Sequence, residues 1–124
     1  MSMYLLDTSI LVDLLRKIAV ARGWFDSLSD MPAMSVVSLT ELYAGVRNRR
    51  EEQELVMLEH AVRPLNVDRA IAARAGVFVR LYGGSHSIDD PDALIAATAE
   101  HHGLRLATLN VKHFPMFPKL KRAY

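Results

Sequence analysis

The chain has 124 residues, 51% hydrophobic and 23% charged, with a formal net charge of +1 and no cysteine. This composition suits one globular domain, residues 1–124, that buries its own core, and it excludes a disordered polyelectrolyte. The missing thiols exclude disulfides, zinc–thiolate centres and cysteine nucleophiles and fit a reducing cytoplasm, while no stretch matches a signal peptide or the ~20 apolar residues of a membrane span.

In chain order, the apolar run at 3–6 stops at Asp7 and predicts a short buried strand. Ile10, Leu11, Leu14 and Leu15 form one helical face, with Thr8 or Ser9 as N-cap. Residues 18–29 predict a second helix holding Trp24, Phe25 and Leu28. After the break at "DMP", residues 33–37 predict a second strand. Leu39, Leu42, Tyr43 and Val46 then follow the spacing of an amphipathic helix, and 51–61 continue as another. Residues 62–67 predict a third strand, which Pro64 assigns to a sheet edge. Asp68 caps a helix that runs to Tyr82 and ends at Gly83-Gly84, and a loop follows at 85–88. A helix over 91–102 ends at Gly103, a fourth strand covers 104–109, and the tail has room for a short fifth strand. Basic clusters at 47–50 and 119–122 are candidates to meet a polyanion, with solvated surface as the plainer alternative.

The alternation of strands and helices predicts an α/β fold, a parallel sheet of four to five strands covered on both faces. Ligands of such folds collect at the C-terminal edge of the sheet. Asp7 ends the first strand and Glu41 lies in the first turn after the second. Asp92 opens a helix that must run antiparallel to the fourth strand, so it starts at the same edge. Asn110 ends that fourth strand. Each residue also has a purely structural role available. Asp90 suits an N-cap, Pro91 position N1, Ser38 with Glu41 a capping box, and Asp7 a cap of its own helix.

The convergence of three carboxylates argues for more. Two bare carboxylates about 4 Å apart repel by roughly 4 kcal/mol at an effective dielectric near 20. Such clusters hold a hard cation or share protons. Oxygen donors without thiols select Mg²⁺ or Mn²⁺, and hydrolysis of a phosphodiester is the reaction class that fits best.

The blocks "YLLDTSILVDLL", "SLTELYAGV" and "PDALIAATAEHHGLRLATLNVKHF" resemble the signature blocks of PIN-domain ribonucleases, and among them the VapC toxins of toxin–antitoxin pairs. The resemblance runs from Tyr4 to Phe114. It implies an α/β/α sandwich and a Mg²⁺- or Mn²⁺-dependent endoribonuclease leaving 5′-phosphate and 3′-hydroxyl ends. It places the acidic metal-holding positions on Asp7, Glu41 and Asp92, and the supporting hydroxyls on Thr8 and Thr108. Its fourth acidic position falls on Asn110, where this chain departs, with Asp89 and Asp90 the candidates to compensate. It further implies a homodimer and a VapB-like antitoxin lying in a groove between helices 10–29 and 39–60. Met31, Met34 and Met57 are either adaptable partner contacts or core filler.

The histidines show no zinc-site spacing, and "HF" at 113–114 predicts packing of the turn after the fourth strand rather than a general base. Two rival readings remain open. One is a PIN fold that binds RNA or protein without cutting, supported by Asn110. The other is a receiver-like phosphoacceptor domain using Asp68 and Lys112. On sequence grounds, Asp7→Asn and Asp92→Asn are both expected to fold at least as well as the parent, because each removes like charge.

Overall fold

A computed structural model describes residues 3–86 and 88–124, with the side chains of Ser85 and His86 also left aside. The strands are β1 (Tyr4–Leu6), β2 (Ala33–Ser35), β3 (Arg63–Leu65) and β4 (Arg105–Ala107). The helices are α1 (Thr8–Leu15), α2 (Ala19–Asp26), α3 (Val36–Ala44), α4 (Arg49–Ala61), α5 (Arg69–His86) and α6 (Asp90–His101), with a 3-10 turn at Val111–His113. All strand pairs are parallel, in the order β3-β2-β1-β4. Pro64 lies on the edge strand, where its missing N–H removes no ladder bond from the sheet interior.

Successive strand residues face opposite layers. Leu5, Ala33 and Leu106 pack with Ile71, Phe78 and the buried alanines of α6. Leu6, Met34 and Ala107 pack with Ile10, Leu11, Leu42 and Leu55. The result is the α/β/α sandwich expected. No described helix is long and apolar enough to cross a membrane.

Helix α6 is deeply buried. Ala93, Ile95, Ala96, Ala97, Thr98 and Ala99 are all buried, because small side chains let it approach both the sheet and α5 closely. It ends as the sequence predicts. Gly103 sits at φ +64°, donating to the Glu100 carbonyl at 3.2 Å while Leu104 donates to Ala99 at 2.9 Å. These two bonds form a Schellman closure, which needs a left-handed residue and so favours glycine.

Several local expectations differ from what forms. Strand β2 stops at Ser35, whose hydroxyl accepts from the Val37 N–H and caps α3. Ser38 therefore lies inside the helix, and the expected capping box does not form there. Helix α1 is capped by Asp7, not by Thr8 or Ser9. Helix α6 is capped by Asp89, which accepts from the Asp92 N–H at 2.9 Å, so Asp90 and Pro91 are its first helical residues.

Helix α5 does begin after an Asp68 cap, with the Ile71 N–H donating at 2.9 Å, but it passes through Gly83-Gly84 to His86. Burial of Ile71, Ala75 and Phe78 against α6 outweighs the roughly 1 kcal/mol that each helical glycine costs. Of the predicted 85–88 loop, Ser87 lies outside the described residues. No fifth strand forms among the described residues. The tail meets the β4 edge through one backbone bond, Ala123 N–H to the Thr108 carbonyl at 3.1 Å.

Candidate active site

The parallel pairing of β1 with β4 puts Asp7 directly beside Thr108, one residue beyond the register pair Leu6–Ala107. The Asp7 N–H continues the ladder to the Ala107 carbonyl at 2.8 Å. Asp7 is 4% exposed. Its Oδ1 accepts from the Thr8 N–H at 2.8 Å, and its Oδ2 accepts from the hydroxyls of Thr108 at 2.7 Å and Ser9 at 3.0 Å. Both hydroxyls are fixed in turn: Thr108 accepts from the Asn110 N–H at 2.9 Å and Ser9 from the Leu109 N–H at 3.3 Å. A buried carboxylate with three donors is satisfied as an anion.

A second chain of bonds supports Glu41. Thr8 Oγ1 lies 2.7 Å from Glu41 Oε1 and 2.8 Å from Ser38 Oγ. An ionised carboxylate only accepts and a hydroxyl has one proton. The order is therefore Ser38 to Thr8 to Glu41. Ser38 is fully buried. Its three-residue spacing from Glu41, which reads as a capping box, instead puts both side chains on one face of α3 toward Thr8.

Asp7, Glu41, Asp89, Asp92, Asn110 and His113 line one open cavity of about 440 Å³, which Thr8 and Ser9 also line. The topological convergence expected from the sequence is thus present. Asn110 lies beyond β4 rather than at its end, exposed on the cavity rim. Asp92 sits on the third residue of α6 with its side chain 17% exposed. Its carboxyl is pushed up to about 7, first by burial and then by the charges of Asp89, Asp7 and Glu41. That the second strand's helix and the first strand's end both act on Asp92 shows how close the three segments lie.

His113 Nδ1 stands 3.3 Å from Asp92 Oδ2. The expectation for "HF" divides here: Phe114 is buried in the core, whereas His113 turns to the acidic cavity. The sequence reading missed Ser9 and Ser38 as supports and underweighted His113. Ser9 carried a signal as a hydroxyl two residues after a capping aspartate, and Ser38 one in its three-residue spacing from Glu41. Asp68 lies away from this cavity, capping α5 and standing 3.8 Å from His101 Nε2. The pocket of a phosphoacceptor domain is therefore not assembled around it.

Among the described residues, no group of three His, Asp or Glu side chains is drawn together tightly enough to hold an ion unaided. The donor set nonetheless suits one class of cation. Apart from the His113 imidazole it is all oxygen, it concentrates negative charge enough to push the Asp92 carboxyl up to about 7, and it offers a cavity open to water. Mg²⁺ takes one or two carboxylates and keeps several waters, so a preformed cage is not required.

Residues 4–119 match the family described as PIN domain. The chain is 46% identical over 122 residues to Ribonuclease VapC10 of Mycobacterium tuberculosis, covering 96% of this chain and 91% of the relative. It is 43% identical over 129 residues to Ribonuclease VapC19 of the same organism, covering 98% and 100%. Its fold is similar to a toxin–antitoxin complex from Klebsiella pneumoniae, with a TM-score of 0.84, 30% identity and 98% of each chain covered.

Proposed function

The chain belongs to the PIN-domain family, and from its likeness there to the VapC ribonucleases we propose that it is an endoribonuclease and the toxin of a toxin–antitoxin pair. The observation that carries the chemistry is the convergence of Asp7, Glu41 and Asp92 on one water-accessible cavity. Asp7 and Asp92, with Glu41 beside them, would hold Mg²⁺ or Mn²⁺. When bound, such a cation stabilises negative charge on the phosphoryl oxygens in the transition state.

The protein's own groups do the rest. Asp7 is immobilised by three hydrogen bonds, so its position survives approach of a phosphate. Glu41 keeps Oε2 free of Thr8 and takes the proton of the attacking water. That water forms the new P–O bond as the P–O3′ bond breaks, which yields a 5′-phosphate and, after protonation, a 3′-hydroxyl. Asn110 donates from the rim without adding negative charge, which favours a single cation in the free protein.

An antitoxin partner has a place to dock. A groove of about 590 Å³ between α1, α3 and α4 is lined by Leu15, Leu42, Val46 and Leu55, with Arg47 on its wall. Helix α2 does not line it, which narrows the groove expected from the sequence. Met57 and Met31 are exposed, whereas Met34 is core. Glu41 lines both this groove and the acidic cavity, so a partner segment leaving the groove enters the site. Homodimerisation belongs to the same proposal.

The test is incubation of the pure protein with a panel of RNAs, with Mg²⁺ or Mn²⁺ and with EDTA. Cleavage should vanish in EDTA and in Asp92→Asn. Cleavage that persists in both would overturn the metal site and indicate a different nuclease. A chain that binds RNA but never cuts it would restore the binding-module reading.

A further inference from the structure

A second cavity, of about 660 Å³, lies against β1, β4 and the C-terminal tail, and Arg105, Lys119, Lys121 and Arg122 line it without any acidic residue. All four cations are exposed. Some other cations of this chain are neutralised by neighbours, as in Arg22–Asp26, Arg47–Glu51, Arg50–Glu54 and Arg74–Glu100, and what sets Arg105, Lys119, Lys121 and Arg122 apart is that they line one cavity together. Among the described residues none of these four forms an ion pair. Arg105 instead lies 4.9 Å over the ring of Tyr4, which stacks edge-on against Trp24. Unpaired cations beside aromatic rings are the components of a single-strand nucleic-acid surface.

The position relative to the acidic site follows from the strand register. Arg105 pairs with Tyr4 at the start of β4, while Asp7 and Thr108 follow the far ends of the same two strands. Three residue steps separate Arg105 from Thr108, on the order of 10 Å. The tail bridges them, since the Ala123 N–H bonds to the Thr108 carbonyl and the Tyr124 hydroxyl to Asp13, which lines the acidic cavity. A strand with its reacting phosphate among the carboxylates would have its neighbouring phosphates within reach of these cations. The acidic cavity repels a polyanion by itself, so affinity must come from elsewhere on the surface.

Resting on the ribonuclease reading, we propose that the basic cavity formed by Arg105, Lys119, Lys121 and Arg122 docks the phosphate backbone of single-stranded RNA flanking the scissile bond. The basic cavity is then a positioning surface for substrate, with Arg105 about one strand length from Thr108.

The experiment measures binding of a fluorescein-labelled 20-nucleotide oligouridylate by anisotropy, in EDTA across a salt series, with its integrity checked on a gel. The triple variant Lys119→Ala, Lys121→Ala, Arg122→Ala should bind about tenfold to hundredfold more weakly at low salt. Its log–log salt slope should be shallower by about 2, at roughly 0.7 per cation for a single strand. A control, Arg63→Ala, Arg69→Ala, Arg80→Ala, removes the same charge elsewhere and should change both values much less.

Equal losses in the two triples, or no loss in the first, would overturn the proposal. If the wild type cleaves RNA with Mn²⁺ while the tail variant binds RNA unchanged, the docking surface fails and the ribonuclease reading stands. If the wild type neither binds oligouridylate nor cleaves any RNA, the ribonuclease reading itself fails. A tail variant that loses a co-expressed antitoxin but keeps RNA would assign the cavity to a protein partner and overturn the RNA assignment.

Discussion

The acidic and basic cavities beside the β1–β4 pair are built on opposite rules. In the acidic cavity the acids are held in place: Asp7 by three donors to its two oxygens, Glu41 at Oε1 through Thr8 and Ser38, and Asp92 by its backbone N–H, which donates to the Asp89 cap. In the basic cavity, which Arg105 at the start of β4 and the tail residues Lys119, Lys121 and Arg122 line, four cations stand in solvent with no ion-pair partner among the described residues. The difference reflects what each job requires. Carboxylates that organise a cation and a water must sit within fractions of an ångström. Cations that attract phosphates act through a long-range field and through counterion release, and tolerate loose side chains.

The comparison breaks most sharply at Asp92 and Asp7. Both Asn variants should lose at least about 100-fold in RNA cleavage, the upper end of what even supporting residues of a metal site are worth. Their stabilities should differ. Asp92→Asn removes a charge that burial and three neighbouring carboxylates disfavour, so thermal melts in EDTA should show no loss. Asp7→Asn sets its NH₂ either against the Thr8 N–H or toward the Thr108 and Ser9 hydroxyls, whose protons then lose their acceptor, and should be destabilised by roughly 1–3 kcal/mol. For Asp7 the hydrogen bonds thus point the other way from the equal tolerance expected from the sequence. Equal melting temperatures would show that the hydrogen bonds around Asp7 contribute little.

A smaller effect sharpens the view of the acidic cavity. Thr8→Val leaves the Ser38 hydroxyl, fully buried, without its partner and frees Glu41. Cleavage should fall about tenfold, read as kcat rather than KM. A KM effect alone would place Thr8 in substrate binding instead. Asn110→Asp adds a sixth carboxylate to the cavity lining and should tighten Mn²⁺ binding several-fold in calorimetric titration. Unchanged affinity would remove Asn110 from the cation's surroundings.

The pH response of the metal-free protein follows from Asp92. Its folded pKa of about 7 lies above the ordinary 3.8. The folded state then holds more protons than the unfolded state between those values. Stability contributed by Asp92 is full below about pH 4 and declines as pH rises toward 7. Denaturant melts in EDTA should show this slope, and Asp92→Asn should flatten it. A wild-type stability independent of pH across that window would contradict the crowding of carboxylates.

The smallest effect lies at the joint between the two cavities. Tyr124 donates to Asp13 at 2.7 Å and packs its ring against Trp24. Burial, then the Asp13 bond, holds its hydroxyl in the protonated form. Tyr124→Phe should cost about 1 kcal/mol. A larger loss would mean that the tail anchors β4 more strongly than one hydrogen bond implies.

Much of this architecture was legible beforehand because hydrophobic patterning sums over many residues. Ile10, Leu11, Leu14 and Leu15 mark a helix whatever caps it, and the strand–helix alternation is enough to bring Asp7, Glu41 and Asp92 to one edge. The caps were less legible because each depends on one residue of register. Asp89 rather than Asp90 caps α6, and Ser35 rather than Ser38 caps α3, since neighbouring aspartates or serines are chemically equivalent until the backbone chooses between them.

The sequence by itself determined the layered parallel fold, the edge position of β3, the glycine stop of α6 and the convergence of three carboxylates. Only the tertiary structure decided that Ser9 and Ser38 support the acids, that His113 faces Asp92, that α5 runs through two glycines, and that the tail's cations share one cavity with Arg105. Hydrophobic periodicity is a local property repeated along the chain. A hydrogen bond such as that between Thr108 and Asp7, or a field summed from Arg105 and Lys121, joins residues whose proximity exists only once the strands have paired.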